Sequence, residues 1–265
     1  MFKHFPAEFV YQTFALIFAI ILVHGTYVAV VRPNAEAQLA EQRALVAKQP
    51  DAVVQSSLYV ILKDYEQESC FVLMLWAMAI IAYKWSVVLR ERALLEEDLL
   101  PLTEGIKILP EDARRYAKPL EALKPALRNL LLPRAVFQSL TRFETTRGVQ
   151  DAASATSAVC TNEGERLDSE LAMIRYVAWA IPAIGFIGTV RGIGNAMGLA
   201  HRAVQGDISG VTENLGTAFN STLIALLLSI VLMFLVHQLQ LAQERLVLDT
   251  ETYVNDRLIR HLRTS

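Results

Sequence analysis

The sequence predicts an all-α integral membrane protein with four transmembrane helices and a helical cytoplasmic domain. Three observations carry that prediction. The 265 residues are 53% hydrophobic and only 20% charged, with a mean hydropathy of +0.33, whereas soluble domains are typically about one-quarter charged. Four apolar stretches approach or exceed the roughly 20 residues that cross a bilayer. Between them Leu and Ala recur at three- and four-residue spacing, and no alternating strand pattern of useful length appears. The 12 Gly and 9 Pro exclude collagen-like and low-complexity chains, and the hydrophobic content excludes disorder. With 25 basic against 27 acidic residues, no basic footprint suggests nucleic acid. The two cysteines are too few for a disulfide scaffold or a four-ligand zinc site, and no metal or other cofactor is expected.

The first span is expected over Phe9 to Val31, uncharged and ended by Arg32-Pro33. It exceeds the roughly 7–15-residue apolar core of a signal peptide, and no small-residue cleavage site follows. The second runs from Cys70 to Leu89, with Lys84 near one end, placed to snorkel, and Tyr83 and Trp85 at the interface. The third covers Trp179 to Ala200 and the fourth Asn214 to Val236.

Flanking charge sets the expected orientation. The connector from Arg90 to Ala172 holds twelve Lys/Arg, the connector from Arg32 to Ser69 four, and the loop from His201 to Glu213 only Arg202. By the positive-inside rule both termini and the long connector are cytoplasmic. Cys70 and Cys160 then lie on opposite membrane faces and cannot pair. The expected organisation is residues 1–89 with the first two spans and an outer loop at 32–69, then a cytoplasmic helical domain at 90–172. Pore-type spans follow at 173–238 and a cytoplasmic helix at 239–265. Pro101, Pro110, Pro119, Pro125 and Pro133 restart or kink short helices in the connector. After the last span the helical rhythm continues without Gly or Pro, and Arg245, Asp249, Glu251 and Arg257 read as a solvated face.

The last two spans differ from lipid-facing helices. The third, WAIPAIGFIGTVRGIGNAMGLA, is glycine-rich and carries a threonine, an arginine and an asparagine. Gly185, Thr189, Gly192 and Ala196 share one helical face. Arg191 lies about 200° around from Thr189, on the face of Asn195 and Gly198. Small residues permit close helix approach within a membrane, so Gly185, Gly188, Gly192 and Ala196, with Ala218 and Ala225 opposite, are expected to pack the two helices together. Arg191 is a candidate intramembrane charge, with Glu213, Asp207 or a neighbouring subunit as its open partners.

The purely apolar part of the fourth span, Leu223 to Val236, has fourteen residues, too few for roughly 30 Å of hydrocarbon. Spanning draws in Thr217, Asn220, Ser221 and Thr222, polar side chains that must then face protein or water. With Thr189 opposite, these five residues are the candidate lining of a narrow polar path. No Asp or Glu lies within any of the four stretches. Hydroxyls and an asparagine relay protons but do not store one near neutral pH, so a titrating carboxylate is expected from another polypeptide.

The stretches IPAIGFIGTVRGIGNAMG (Ile181 to Gly198) and LGTAFNSTLIALLLSI (Leu215 to Ile230) resemble the MotA/TolQ/ExbB proton-channel family. The resemblance covers about Ile174 to Leu239, with the second span and connector similar in layout only. It implies a homopentamer in the bacterial inner membrane whose last two helices line a pore. It also implies a dimeric single-span partner of the ExbD/TolR/MotB kind, which occupies the pore and supplies a proton-binding aspartate. Thr189 and Thr222 then match the two pore threonines. Thr217 stands where ExbB-like members carry a glutamate, and Arg191 stands at a position often apolar or aromatic. The extra first span is like MotA, whereas the connector and short tail are closer to ExbB and TolQ.

The function expected is an ion-conducting motor subunit, with the proton as the expected ion, rather than an enzyme, since no GxSxG, HExxH or Walker loop occurs. A membrane transporter component and an oligomeric scaffold without ion flux are the alternatives. Sodium and the work performed are left open by the sequence.

Overall fold

The computed structural model describes residues 7–48, 57–97 and 106–264, all helices, turns and loops apart from one isolated bridge. Pro101 and part of the stretch after the second span lie outside the described residues. Four helical runs are long and apolar enough to cross a membrane: Glu8–Leu45, Tyr65–Glu96, Val149–Gly198 and Ser209–His261. By length and composition this is a multi-pass membrane protein. The chain divides into two units, one of residues 1–82 and 173–236, the other of residues 83–172 and 237–265.

In the first unit, α1 (Ala7–Thr26) passes through a π-helical turn at Tyr27–Val31 into α2 (Arg32–Lys48). Arg32-Pro33 therefore does not end the first helix. A proline lacks an N–H and its ring clashes with the carbonyl four residues back. The wider turn answers both problems. The Arg32 N–H bonds the Tyr27 carbonyl, an i→i−5 bond, and the Asn34 side chain donates to the Val30 carbonyl at 2.7 Å. The short α3 (Leu58–Leu62) is capped by Ser57, whose hydroxyl accepts from the Tyr59 N–H. The N-terminal part of α4 (Tyr65–Glu96) is tied to α1 by the Trp76 indole donating to the Gln12 carbonyl at 2.9 Å.

α9 (Ala172–Gly198), the short α10 (Ala200–Val204) and the N-terminal part of α11 (Ser209–Arg257) complete this unit. α11 runs 49 residues, about 74 Å at 1.5 Å per residue. It is unbroken because no Gly or Pro interrupts the sequence after the apolar stretch. Pro182 lies inside α9 and frees the Ala178 carbonyl, which in hydrocarbon must find another donor. Ser229 of α11 supplies it at 3.0 Å.

The second unit holds α5 (Ala113–Glu121), α6 (Pro125–Arg128), α7 (Leu131–Thr146) and α8 (Val149–Glu170), with the C-terminal parts of α4 and α11. Its core gathers Ile108, Val136, Leu140, Phe143, Val254 and Leu258. The tail closes on this core through Ile108, whose N–H donates to the His261 carbonyl at 2.8 Å and whose carbonyl accepts from Arg263 at 3.0 Å. Buried Glu91 accepts from the Leu131 N–H at 3.0 Å and so caps α7. Lys84 does not snorkel. Its side chain is 4% exposed and bonds Glu170 at 2.8 Å, because α8 brings a carboxylate to it. Cys160 here and Cys70 in the first unit are free, buried thiols.

Candidate functional site

α9 and α11 form an antiparallel seam in which glycine faces small side chains. A Cβ added at Gly188 would stand 2.6 Å from the Ser221 Cβ, and one at Gly192 would stand 2.6 Å from the Ala218 Cβ. At Gly185 the corresponding neighbour is the Ala225 Cβ. Gly185, Gly188, Gly192, Ala196, Ala218 and Ala225 are all buried. Backbones approach this closely only where side chains are absent, and that approach brings hydroxyls within reach of the opposite helix's carbonyls.

Thr189 donates to the Ala218 carbonyl across the seam at 3.0 Å. Thr222 donates to the Gly185 carbonyl in the other direction at 2.9 Å. The two hydroxyls also contact each other directly. Two hydroxyl protons thus serve three acceptors, the two carbonyls and whichever hydroxyl receives. Either hydroxyl can donate to the other while the second keeps its carbonyl. The arrangement can pass hydrogen bonding from one side to the other by rotating O–H bonds, with no heavy atom moving far.

The other sequence-predicted residues occupy distinct positions. Ser221 is 1% exposed, set against Gly188, with its hydroxyl donating to the Thr217 carbonyl at 3.0 Å. Thr217, Asn220, Thr189 and Thr222 are half-buried, at the edge of the seam rather than inside it. Arg191 pairs with neither Glu213 nor Asp207. Its guanidinium bonds Glu66 at 2.7 Å, because α4 delivers that carboxylate to the face of α9 opposite Thr189. Glu213 instead lies 3.2 Å from Arg43 of α2 and 3.9 Å from Lys63.

Glu66 was missed because it falls one turn before the apolar stretch beginning at Cys70, outside any span by composition. The signal lay in DYEQES, Asp64 to Ser69, an acidic run whose Glu66, Gln67 and Glu68 are all buried at the start of α4. Glu68 bonds Arg32 and the His24 Nδ1 at 2.7 Å. The Arg32 guanidinium also lies over the Tyr65 ring at 4.3 Å, a favourable cation–π position. The Cγ of Glu66 would be 3.2 Å from a Cβ at Gly188, so this carboxylate backs the hydroxyl seam.

Residues 128–252, a segment that contains the whole seam, match the MotA/TolQ/ExbB proton channel family. The match covers a little under half of the chain, from α6 into the C-terminal part of α11, and leaves α1 to α5 outside it. No significant match was found among curated proteins or among solved structures.

Proposed function

We propose that this protein is an ion-conducting motor subunit, carrying protons and coupling the ion-motive force to mechanical work across the cell envelope. The observation that carries the reading is the reciprocal bonding of Thr189 and Thr222 across α9 and α11, within the segment that matches the proton-channel family. In this reading the working form is a homopentamer in the bacterial inner membrane. Its α9 and α11 helices surround a dimeric single-span partner of the ExbD/TolR/MotB kind, whose aspartate takes the proton. Both termini and the unit built on α5 to α8 face the cytoplasm. The large apolar side chains exposed along the seam helices, such as Phe186, Ile187, Phe219 and Ile230, then meet lipid or neighbouring copies.

The test has two stages. The chain is expressed with a single-span protein encoded beside it and weighed by native mass spectrometry, where five copies holding two partners is the expected result. Thr222→Val is then assayed for proton flux in vesicles. It is expected to abolish flux while leaving the assembly intact, because it removes one of the two relay protons and keeps the side chain's shape. A partner-free monomer or dimer, or full flux in Thr222→Val, refutes the reading.

A further inference from the structure

Three carboxylates meet at the junction of α3 and α4, and they are not equivalent. Glu66 is bonded to Arg191 at 2.7 Å. Glu68 is held by Arg32 and by His24. Asp64 differs, because its Oδ2 is buried and accepts no hydrogen bond. Two further buried oxygens here are likewise unengaged, the Oε1 of Gln67, a fully buried residue, and the hydroxyl of Tyr27, 4% exposed. Tyr27 comes from the π turn and feels the charges of Glu68, Arg32 and Asp64. Buried polar oxygens nearly always have partners. A carboxylate and an amide oxygen only accept, and the tyrosine has one proton to give.

We propose that Asp64 is a proton-binding residue of the ion path, supplied by this chain in addition to the partner's carboxylate. A hydronium ion gives its proton to Oδ2 and leaves as water. An O–H bond forms with a carboxylate electron pair, and the resulting carboxylic acid gains a proton to donate. The inference rests on the ion-conducting reading for its role in the path, but the proton site stands on its own geometry.

The groups that face Asp64 decide which ion it takes. They are Lys63 and Glu66 beside it, Arg191 of α9 and Glu213 of α11, with Tyr27 from the π turn. A metal cation needs several oxygen ligands at once, yet Glu66 and Glu68 are already committed to arginines. Among the described residues no three His, Cys, Asp or Glu side chains converge as a metal-ligand set. A proton needs one oxygen only. Burial holds the Asp64 carboxyl above the ordinary carboxylate value, with Lys63 and Arg191 opposing and Glu66 and Glu213 adding to it.

The experiment is an infrared titration of the full chain in lipid nanodiscs, with aspartate carboxyl groups isotope-labelled. A protonated-carboxyl C=O band that carries the label and titrates above the ordinary carboxylate range is expected. It should disappear in Asp64→Asn, lose its label shift in Asp64→Glu, and persist in Asp249→Asn. Absence of a labelled band above that range overturns the proposal, as does its survival unchanged in Asp64→Glu. The Asp64→Glu readout serves if Asp64→Asn does not fold. Vesicles that show the band without proton flux count against the motor reading alone. Flux without the band counts against Asp64 alone.

Discussion

Gly192→Ala tests whether the seam and the hydroxyl pair are one structure. The added Cβ would stand 2.6 Å from the Ala218 Cβ and 2.9 Å from both the Ala218 Cα and the Asn214 carbonyl oxygen. Carbon atoms settle at about 3.5–4.0 Å, so α9 and α11 must separate by about 1 Å. Two of the three obstructing atoms are backbone and cannot rotate away. The same movement would stretch the 2.9 Å bond from Thr222 to the Gly185 carbonyl to about 3.9 Å, beyond hydrogen-bond range. Overpacking costs about 1–3 kcal/mol, and lost interhelical bonds in a membrane cost about 0.6 kcal/mol each. The gain in helix propensity from Gly to Ala offsets about 1 kcal/mol. The expected loss is about 2 kcal/mol, roughly 30-fold in the folding equilibrium. Reversible unfolding of the detergent-held chain measures it. Gly194→Ala is the control, because a Cβ there meets nothing within 4 Å. Ala218→Gly added to Gly192→Ala should recover only part of the loss, since two contacts at 2.9 Å remain. Wild-type stability in Gly192→Ala, or equal damage from Gly194→Ala, would refute the reasoning.

Two further outcomes follow from the ion pairs. Arg191→Met leaves the buried Glu66 carboxylate without its cation, so it should lower thermal stability more than Glu66→Gln does. The expected cost is about 1–3 kcal/mol, below that of a fully buried pair because the Arg191 side chain is 44% exposed; equal effects would remove the pair from the account of α4 docking. In the second unit, burial raises the Glu163 carboxyl, but hydrogen bonds from Arg166 and Arg134 outweigh it and hold the pKa below its ordinary value of 4.5. A depressed folded pKa stabilises above the unfolded value and loses that contribution as pH falls through the folded one. Thermal melts should therefore show stability complete above pH 4.5 and falling below it, with a shallower acid limb in Glu163→Gln; identical limbs would sink the linkage.

Much of the architecture was legible because hydropathy and periodicity are direct readouts of what lipid and core require. The four apolar runs, the helical continuation of α11 and the glycine face of α9 all follow from one-dimensional patterns. The errors share a different origin. Arg32-Pro33 reads as a stop, yet a π turn two residues earlier and the Asn34 side chain let the helix continue, and neither has a sequence period. Lys84 and Arg191 read as charges seeking water or a nearby loop. Their partners, Glu170 and Glu66, lie 86 and 125 residues away in sequence, a separation that only the fold brings together. Thr189 and Thr222 were legible as polar residues at membrane depth. Their mutual contact depends on the register of two helices, which composition does not set.

The closeness of the seam also limits where an ion can pass. Contacts that exclude a single methyl at Gly185, Gly188 and Gly192 leave no width between α9 and α11 for a hydrated ion. In the proposed channel, a path past Thr189 and Thr222 would run along the seam's edge, where Asn220 and Thr217 are half-buried, and further copies or the proposed partner would supply its other wall. Ser221, 1% exposed and turned to the Thr217 carbonyl, lies behind that edge. Cysteines introduced one at a time, in a chain whose Cys70 and Cys160 are replaced by serine, distinguish the two positions. Asn220→Cys in the assembled complex should react with a small water-soluble thiol reagent, while Ser221→Cys, of nearly the same size as serine, should stay unreactive until the chain is unfolded. Rapid labelling of Ser221→Cys with Asn220→Cys protected would place the aqueous face on the opposite side of α11, and with it would fall the idea that two hydroxyls at the seam's edge carry the proton.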